Sequence, residues 1–175
     1  VLDPNQNCSA SLVGAEQIIA DFKDRDAIIE LSKKVDIITY EIESGDSDVL
    51  KSVENNSKVS PSPETLKIIQ DKLLQKKFLM DNNIPVPEFV EVNDINELKI
   101  GLEKFGFPAL LKARRDAYDG KGNYKIDSNN DVQKAFDYFK GKPLLLEKFI
   151  PFEMEVSVIS ARNTKGQIKS YPLVE

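Results

Sequence analysis

The sequence of 175 residues has no histidine and a single cysteine, Cys8. Without histidine the chain cannot supply a Ser-His-Asp or Cys-His catalytic system, or a histidine-ligated zinc site, from its own residues. One cysteine cannot form a disulfide within the chain, which indicates a reducing compartment, and the cytoplasm is the predicted location. Carboxylates, lysines, arginines, tyrosines and backbone amides remain, a set that suits phosphate and magnesium chemistry.

Long apolar runs and a basic surplus are also lacking. No run approaches the roughly 18 apolar residues that a membrane-spanning helix needs, and no basic start leads into a signal-like apolar stretch. The net charge of −5 argues against a nucleic-acid partner held by a broad basic surface. The composition, 41% hydrophobic and 30% charged, is that of a globular chain with a core. The first residue is Val1 rather than methionine, so we expect the start of the protein to be missing or processed.

The first third of the chain has the pattern of a parallel α/β unit. Asp24 precedes a predicted helix at 27–31, and the β-branched run 35–41 predicts a strand ending on Glu41. An earlier strand ends near Asp3, before a proline. Because ligands of such sheets bind at the carboxyl ends of the strands, Asp3 and Glu41 mark a candidate substrate edge.

The Ser-Pro-Ser-Pro segment 60–63 predicts a boundary, after which the pattern changes. Leucine and phenylalanine spacing predicts helices at 64–70 and 72–82, with Phe78 facing inward. A capping box at Asp94 and Glu97 begins another helix, which Gly106 ends. One further helix is predicted at 131–140. Further strands are predicted at 107–112, 124–126, 144–150, 153–162 and 167–173. The second part is therefore expected to be α+β and mostly antiparallel.

A lysine and a glycine-bearing loop form the first candidate site. Lys112 ends an apolar strand, where an unpaired buried charge is costly, so it should face an anion. Lys121 lies between Gly120 and Gly122, whose lack of side chains lets backbone amides approach a phosphate. Taken alone, this loop is equally consistent with a tight hairpin turn that carries solvated charges.

A second candidate site follows the apolar strand at 144–150. Glu147 and the residues after it could offer a carboxylate and backbone groups to an adenine ring and ribose. Read singly, the segment is better explained as an edge strand with alternating exposed charges, and Glu155 and Arg162 as ordinary strand charges.

In their order along the chain, these features resemble the ATP-grasp superfamily. The order is a helix lysine, a strand lysine, a glycine-bearing loop, an acidic strand end and a further glutamate. Five segments are similar to the N5-carboxyaminoimidazole ribonucleotide synthetase family: Thr39-Tyr40-Glu41-Ile42-Glu43, IQDKLLQK at 69–76, Phe105-Gly106-Phe107-Pro108, Tyr118-Asp119-Gly120-Lys121-Gly122-Asn123 and Tyr171-Pro172-Leu173-Val174-Glu175. The Tyr-Asp pair of the loop favours this branch, because related loops usually carry Ser and Gly before Gly-Lys-Gly.

The resemblance implies a role for each matching residue. Lys72 and Lys112 would contact the ATP phosphates, under a lid formed by Ala117, Tyr118, Asp119, Gly120, Lys121, Gly122 and Asn123. Glu147, Lys148, Phe149 and Ile150 would meet the adenine, partly through backbone groups, and Glu155 would take the ribose hydroxyls. Asp119, Lys121 and Glu41 would face the aminoimidazole ribonucleotide. For Glu41 the alternative is an exposed acid at a strand end.

The resemblance also implies a fold, a reaction and partners. The fold would be α/β followed by α+β: the end of a parallel pre-ATP-grasp domain at 1–62, linker helices and the ATP-grasp small subdomain at 63–145, and the first strands of the large subdomain at 146–175. The enzyme would be a ligase that carboxylates aminoimidazole ribonucleotide with bicarbonate and ATP, through carboxyphosphate, in purine biosynthesis. Mg²⁺ is implied, with its ligands expected after Glu175, and the family often forms homodimers. We therefore expect an internal fragment that is inactive alone, with no metal ligand and no assigned catalytic residue of its own.

Three alternatives remain open at the level of sequence. One is another ATP-grasp ligase, such as a formate-dependent glycinamide ribonucleotide transformylase or a biotin carboxylase, against which Tyr118 and Asp119 argue. Another is a nucleotide-binding module without catalysis. The third is an interaction domain that binds no nucleotide.

Overall fold

The computed structural model describes residues 1–116 and 122–175. Its helices are α1 (Ser9–Leu12), α2 (Arg25–Ser32), α3 (Ser47–Ser52), α4 (Pro63–Ile69), α5 (Lys72–Asp81), α6 (Ile95–Phe105) and α7 (Val132–Tyr138), the last preceded by a 3₁₀ turn at Asn129–Asp131. Its strands are β1 (Ile37–Ile38), β2 (Lys58–Val59), β3 (Phe89–Val92), β4 (Ala109–Ala113), β5 (Asn123–Ile126), β6 (Leu144–Lys148), β7 (Ser160–Arg162) and β8 (Ile168–Ser170).

The first unit is parallel α/β, as predicted, but its strands are short. β1 and β2 pair in parallel, and Leu2 makes only an isolated parallel bridge to Ile18. The strand predicted at 35–41 is therefore reduced to two paired residues. Its partner β2 runs into Pro61, and proline has no N–H with which to continue a ladder.

The core of the first unit joins α2, α3, both strands and α4. Its buried members are Ile28, Ile38, Val49, Leu50, Val53, Val59 and Leu66. Leu66 lies on α4 and is fully buried, so this helix packs with the first unit. Asp24 begins α2, as predicted, and its carboxylate accepts the N–H of Ala27.

The second unit is built on an antiparallel sheet with the strand order β3-β6-β4-β5, as the sequence predicted. Successive side chains of a strand point to opposite faces, so the registers divide the sheet into two faces. One face is apolar and packs against α6 and α7; its buried residues include Val92, Leu111, Ile126, Leu144 and Leu146. The other face carries Glu91, Leu110, Lys112, Asn123 and Glu147.

Two helix predictions of the second unit have different outcomes. Asp94 begins α6 by accepting the N–H groups of Asn96 and Glu97, and Gly106 at φ 74° ends the helix, as predicted. The prediction that Phe78 faces inward is wrong, because its side chain is 48% exposed. Phe78 lies about 200° around α5 from Lys76, which faces the sheet.

Residues 151–175 are exposed along their whole length. β7 and β8 pair in antiparallel, and Ser157 bridges Val174, so the strand predicted at 153–162 is paired mainly at its end. No helix of the described residues is long and apolar enough to cross a membrane.

Candidate active site

The polar face of the sheet brings a lysine and a glutamate together at its centre. β4 and β6 place Leu110 opposite Glu147, and Lys112 opposite Leu145. Lys112 and Glu147 are thus diagonal neighbours on one face. Lys112 Nζ lies 2.9 Å from Glu147 Oε2.

Helix α5 adds a second lysine from above this face. Lys76 Nζ lies 3.0 Å from Glu147 Oε1 and 5.8 Å from the ring centroid of Phe89. The side chains of Lys76, Lys112 and Glu147 are 13%, 20% and 5% exposed. This Lys76–Glu147–Lys112 cluster holds two positive charges and one negative charge, and its surplus positive charge favours an anion beside it.

The two contacts of Glu147 differ in kind. Although Lys76 Nζ is within ion-pair distance of Oε1, no donor of the described residues is aligned with this oxygen as a hydrogen bond. The contact is an ion pair, because attraction between charges depends on distance far more than on angle. Oε1 keeps hydrogen-bond acceptor capacity as a result.

A second charged group lies where α5 begins. Asp71 is 1% exposed, and its carboxylate accepts hydrogen bonds from Nε and Nη2 of Arg114 (3.0 and 2.7 Å), Nε of Arg115 (3.1 Å) and the N–H of Leu73 (3.0 Å). Burial alone would raise the pKa of Asp71, but these hydrogen bonds outweigh it and hold the pKa below its usual range. Asp71 is therefore a permanent anion near neutral pH.

Arg114 links Asp71 to the polar face of the sheet. Its guanidinium pairs with Asp71 through one edge and with Glu91 of the polar face through Nη1. The hydrogen bonds to Asp71 raise the pKa of Arg114 further. Arg114 directly follows β4, so the strand that carries Lys112 is fixed to the first residues of α5.

The structure brings together only some of the residues that the sequence predicted. Lys112 and Glu147 are in contact, and Asn123 begins β5 directly opposite Lys112. Gly122 is buried, and its carbonyl accepts the N–H of Ala113. The predicted lid residues Ala117, Tyr118, Asp119, Gly120 and Lys121 lie outside the described residues.

The segment after Glu147 leaves the sheet. Lys148 is an exposed side chain that pairs with Glu88 at 2.9 Å, while Lys125 stands over the Phe149 ring at 5.1 Å. Ile150 is 46% exposed. Glu155 is exposed, and among the described residues no hydrogen bond or ion pair includes its side chain. Its predicted contact with ribose stays a prediction.

Lys72 lies apart from the Lys76–Glu147–Lys112 cluster. It lines a cavity of about 270 Å³ together with Glu43, Gly45, Gln70 and Arg115, between the first unit and the start of α5. Its contact with the ATP phosphates stays a prediction.

Glu41 lies at the other predicted edge. It is exposed and lines a cavity of about 500 Å³ with Leu2, Asp3 and Ile38. Asp3 and Glu41, which the sequence placed at one edge, therefore share a cavity. The hydroxyl of the adjacent Tyr40 donates to the carbonyl of Ser62 at 3.2 Å, and burial raises its pKa.

Sequence reasoning missed Lys76, Asp71 and Arg114. A signal for Lys76 was available, because it lies four residues after Lys72 and so almost on the same side of the helix, one turn further along. Asp71 caps α5, and nothing local in the sequence indicated its two arginine partners.

Comparison with known proteins identifies the class. A family model described as the ATP-grasp domain matches residues 77–175, and one described as the ribonucleotide synthetase preATP-grasp domain matches residues 1–70. The chain belongs to the ATP-grasp family, and the predicted α/β and α+β architecture is confirmed.

Among individual proteins, the chain is 42% identical over 162 residues to the phosphoribosylaminoimidazole carboxylase of Schizosaccharomyces pombe, covering 93% of this chain and 29% of the relative. It is similar to the carboxyaminoimidazole ribonucleotide synthase of Aspergillus clavatus complexed with ATP, with a TM-score of 0.92, 35% identity and coverage of 98% and 46%. The Aspergillus clavatus structure in complex with ADP and 5-aminoimidazole ribonucleotide gives a TM-score of 0.88, 33% identity and coverage of 98% and 45%. The chain thus spans less than half the length of these proteins.

Proposed function

We propose that this chain forms part of the ATP site and of the substrate site of an ATP-grasp ligase that carboxylates 5-aminoimidazole ribonucleotide. The Lys76–Glu147–Lys112 cluster carries the proposal, because it combines a surplus positive charge with a buried acceptor on the open face of the sheet. The relatives named above, which include complexes with ATP, ADP and 5-aminoimidazole ribonucleotide, support it.

The lysines would hold the phosphates of ATP. An ammonium group has three N–H donors, and each lysine directs its charge at one oxygen of Glu147, which leaves further donors for phosphate oxygens. The sequence predicted that Lys72 and Lys112 contact the ATP phosphates. In this proposal Lys76 and Lys112 make that contact. Phosphoryl transfer depends mainly on positioning and charge neutralisation, which paired lysines on a rigid sheet and helix supply.

Glu147 would change partners when nucleotide binds. In this proposal the lysines pair with the phosphates and less with Glu147. The Glu147 carboxylate then accepts a hydrogen bond from the exocyclic amine of adenine. The backbone of Lys148 and Ile150 would continue the contact with the base. Glu155 would meet the ribose, and residues 117–123 would cover the phosphates.

The chemistry proposed is a ligation in three steps. The γ-phosphoryl group moves from ATP to an oxygen of bicarbonate, releasing ADP and forming carboxyphosphate. Carboxyphosphate breaks down to carbon dioxide and phosphate, and the 5-amino nitrogen of the ribonucleotide attacks the carbon dioxide and loses a proton. Glu41, at the cavity shared with Asp3, would face that ribonucleotide.

Magnesium would supply charge neutralisation at the phosphates when bound. Within residues 1–116 and 122–175, no three or more Asp, Glu, Cys or His side chains are grouped so that they could hold a metal ion. We therefore assign no step to a metal held by these residues. Homodimer formation likewise stays a prediction.

The test is the release of ADP by the full-length protein. With ATP and bicarbonate present, we expect 5-aminoimidazole ribonucleotide to stimulate ADP release, and glycinamide ribonucleotide with formate to have no effect. Lys112→Ala should reduce the stimulated rate at least about tenfold, in line with the loss of one charged hydrogen bond. Lys134→Ala, an exposed lysine on α7, is the control and should keep the wild-type rate.

Three results would contradict the proposal. Stimulation by glycinamide ribonucleotide would indicate another ligase, and binding of an ATP analogue without turnover would indicate a nucleotide-binding module. No binding of ATP analogues at all would favour an interaction domain.

A further inference from the structure

The two residues between α4 and α5 each make a separate set of contacts. α4 ends at Ile69 and α5 begins at Lys72, so Gln70 and Asp71 form the whole connection. Gln70 makes hydrogen bonds to the first unit, and Asp71 makes hydrogen bonds to the arginines that follow β4 in the second unit.

Gln70 holds the segment that follows Glu41. Its side-chain Nε2 donates to the carbonyl of Glu43 at 2.6 Å and also to the carbonyl of Gly45. Two hydrogen bonds from one amide fix a loop that has no strand or helix of its own between β1 and α3. The loop begins just after Glu41, which lines the cavity of the first unit.

Asp71 holds the two elements that carry the lysines of the cluster. It caps α5, the helix of Lys76, through the N–H of Leu73. It also binds both arginines that follow β4, the strand of Lys112. The N–H of Lys72 adds a backbone bond of 2.9 Å to the carbonyl of Arg114.

These contacts meet at the 270 Å³ cavity that Glu43, Gly45, Gln70, Lys72 and Arg115 line in common. Gln70 lines this cavity itself, while Asp71 lies behind the wall and binds Arg115, which lines it. A displacement of Gln70 would move the loop at Glu43 and Gly45. A displacement of Asp71 would move α5 relative to β4.

We propose that Gln70 and Asp71 are a pair of positioning residues, in which Gln70 orders the loop beside the ribonucleotide site and Asp71 sets the spacing of Lys76 and Lys112. Neither touches a reacting atom. The proposal rests on the proposed function, because it assigns ATP to the lysine side and 5-aminoimidazole ribonucleotide to the Glu41 side.

The test compares the two KM values in Gln70→Ala and Asp71→Asn variants of the full-length protein. Gln70→Ala should raise the KM for 5-aminoimidazole ribonucleotide and leave that for ATP within the error. Asp71→Asn should raise the KM for ATP and leave the other unchanged. Each increase should be about tenfold, because small misplacements of binding groups cost up to about a hundredfold. A purely structural role would lower the melting temperature without separating the two substrates.

Two further variants keep the test decisive. Arg115→Gln removes one partner of Asp71 at a side chain that is 48% exposed, so it should fold and raise the KM for ATP to a smaller degree. Asp94→Asn, which alters the cap of α6 away from both sites, is the control and should leave both KM values unchanged.

The outcomes separate the two proposals. If the unmodified protein turns over but Gln70→Ala and Asp71→Asn leave both KM values unchanged, or shift them equally, the positioning assignment is overturned and the proposed function stands. If the unmodified protein shows no turnover with 5-aminoimidazole ribonucleotide, the proposed function fails, and the assignment fails with it.

Discussion

Lys76 Nζ of helix α5 lies 3.0 Å from Glu147 Oε1 of β6, one of the two inner strands of the sheet. This contact joins two segments that are remote in the sequence, and it places a helix lysine beside the strand lysine Lys112. Glu147 is the residue that gives the cluster its geometry, because both ammonium groups converge on its carboxylate.

Neutralising Glu147 should destabilise the fold. Glu147→Gln leaves two ammonium groups beside a neutral amide at sites where both lysines are at most 20% exposed. Removing one partner of a buried ion pair typically costs about 3–5 kcal/mol, and we expect the lower end here because the lysines keep some contact with solvent. Urea unfolding of both proteins measures the difference.

Glu88→Gln is the matched control for that measurement. Glu88 pairs with Lys148 across two half-exposed side chains, where solvent screens the charges, so Glu88→Gln should leave stability nearly unchanged. Equal losses in the two variants would mean that Glu147 is no more important than a surface partner.

Lys76 should contribute more than Lys72 to nucleotide affinity. Loss of a charged hydrogen bond costs about 1.5–3 kcal/mol, so Lys76→Ala should weaken binding of an ATP analogue about ten- to a hundredfold. We expect Lys72→Ala to weaken it less, because Lys72 lines the cavity beside Glu43 and Arg115. Calorimetric titration of the full-length variants, with Lys134→Ala as reference, gives the order. A larger loss for Lys72→Ala would restore the assignment made from the sequence.

Local patterns in the sequence predicted most of the fold. The cap at Asp94, the stop at Gly106 and the short apolar run of β4 each depend on neighbours along the chain, so they can be predicted from local sequence. The length of β1 could not be predicted in this way, because it depends on β2 and on Pro61, more than twenty residues further along the sequence.

The candidate site was predictable in part, for the same reason. Lys112 ends an apolar strand, which marked it as an unusual charge. Glu147, read singly, looked like an exposed charge of an edge strand, whereas it is buried on an inner strand of the sheet. Finding Lys76 required the position of α5 along the sheet, and assigning arginine partners to Asp71 required the end of β4. Both are tertiary relationships between elements that no periodicity encodes.

Gly101 should be intolerant of a side chain. A Cβ at this position of α6 would lie 2.8 Å from Leu146 Cδ2 and 2.9 Å from Val90 Cγ2, both on the apolar face of the sheet. Overpacking of this kind costs about 1–3 kcal/mol, against a gain of about 1 kcal/mol from replacing a helical glycine by alanine. Gly101→Ala should therefore lower the free energy of unfolding by about 1 kcal/mol, measured in urea.

The neighbouring Ile100→Ala is the control for Gly101. Ile100 is 64% exposed, so the substitution removes little packing and should leave stability nearly unchanged. If Gly101→Ala proved more stable than the parent, α6 would have room to move away from β3 and β6, and the close packing of Gly101 against Leu146 and Val90 would be incorrect.

Asp71 should contribute to the loss of stability in acid. Hydrogen bonds from Arg114 and Arg115 hold its folded pKa below the ordinary value, which is about 4 in an unfolded chain. The folded state then binds fewer protons than the unfolded state in this range. The stabilisation is complete above about pH 4 and is lost as the pH falls through the folded pKa.

In Asp71→Asn this pH-dependent stabilisation is absent, while the asparagine can still cap α5. Urea unfolding between pH 2.5 and 7, a range chosen to span about 1.5 units below the ordinary pKa, should show a flatter acid limb for Asp71→Asn and an intermediate one for Arg115→Gln. Identical acid limbs in the variants and the parent would mean that the arginines do not lower the pKa of Asp71.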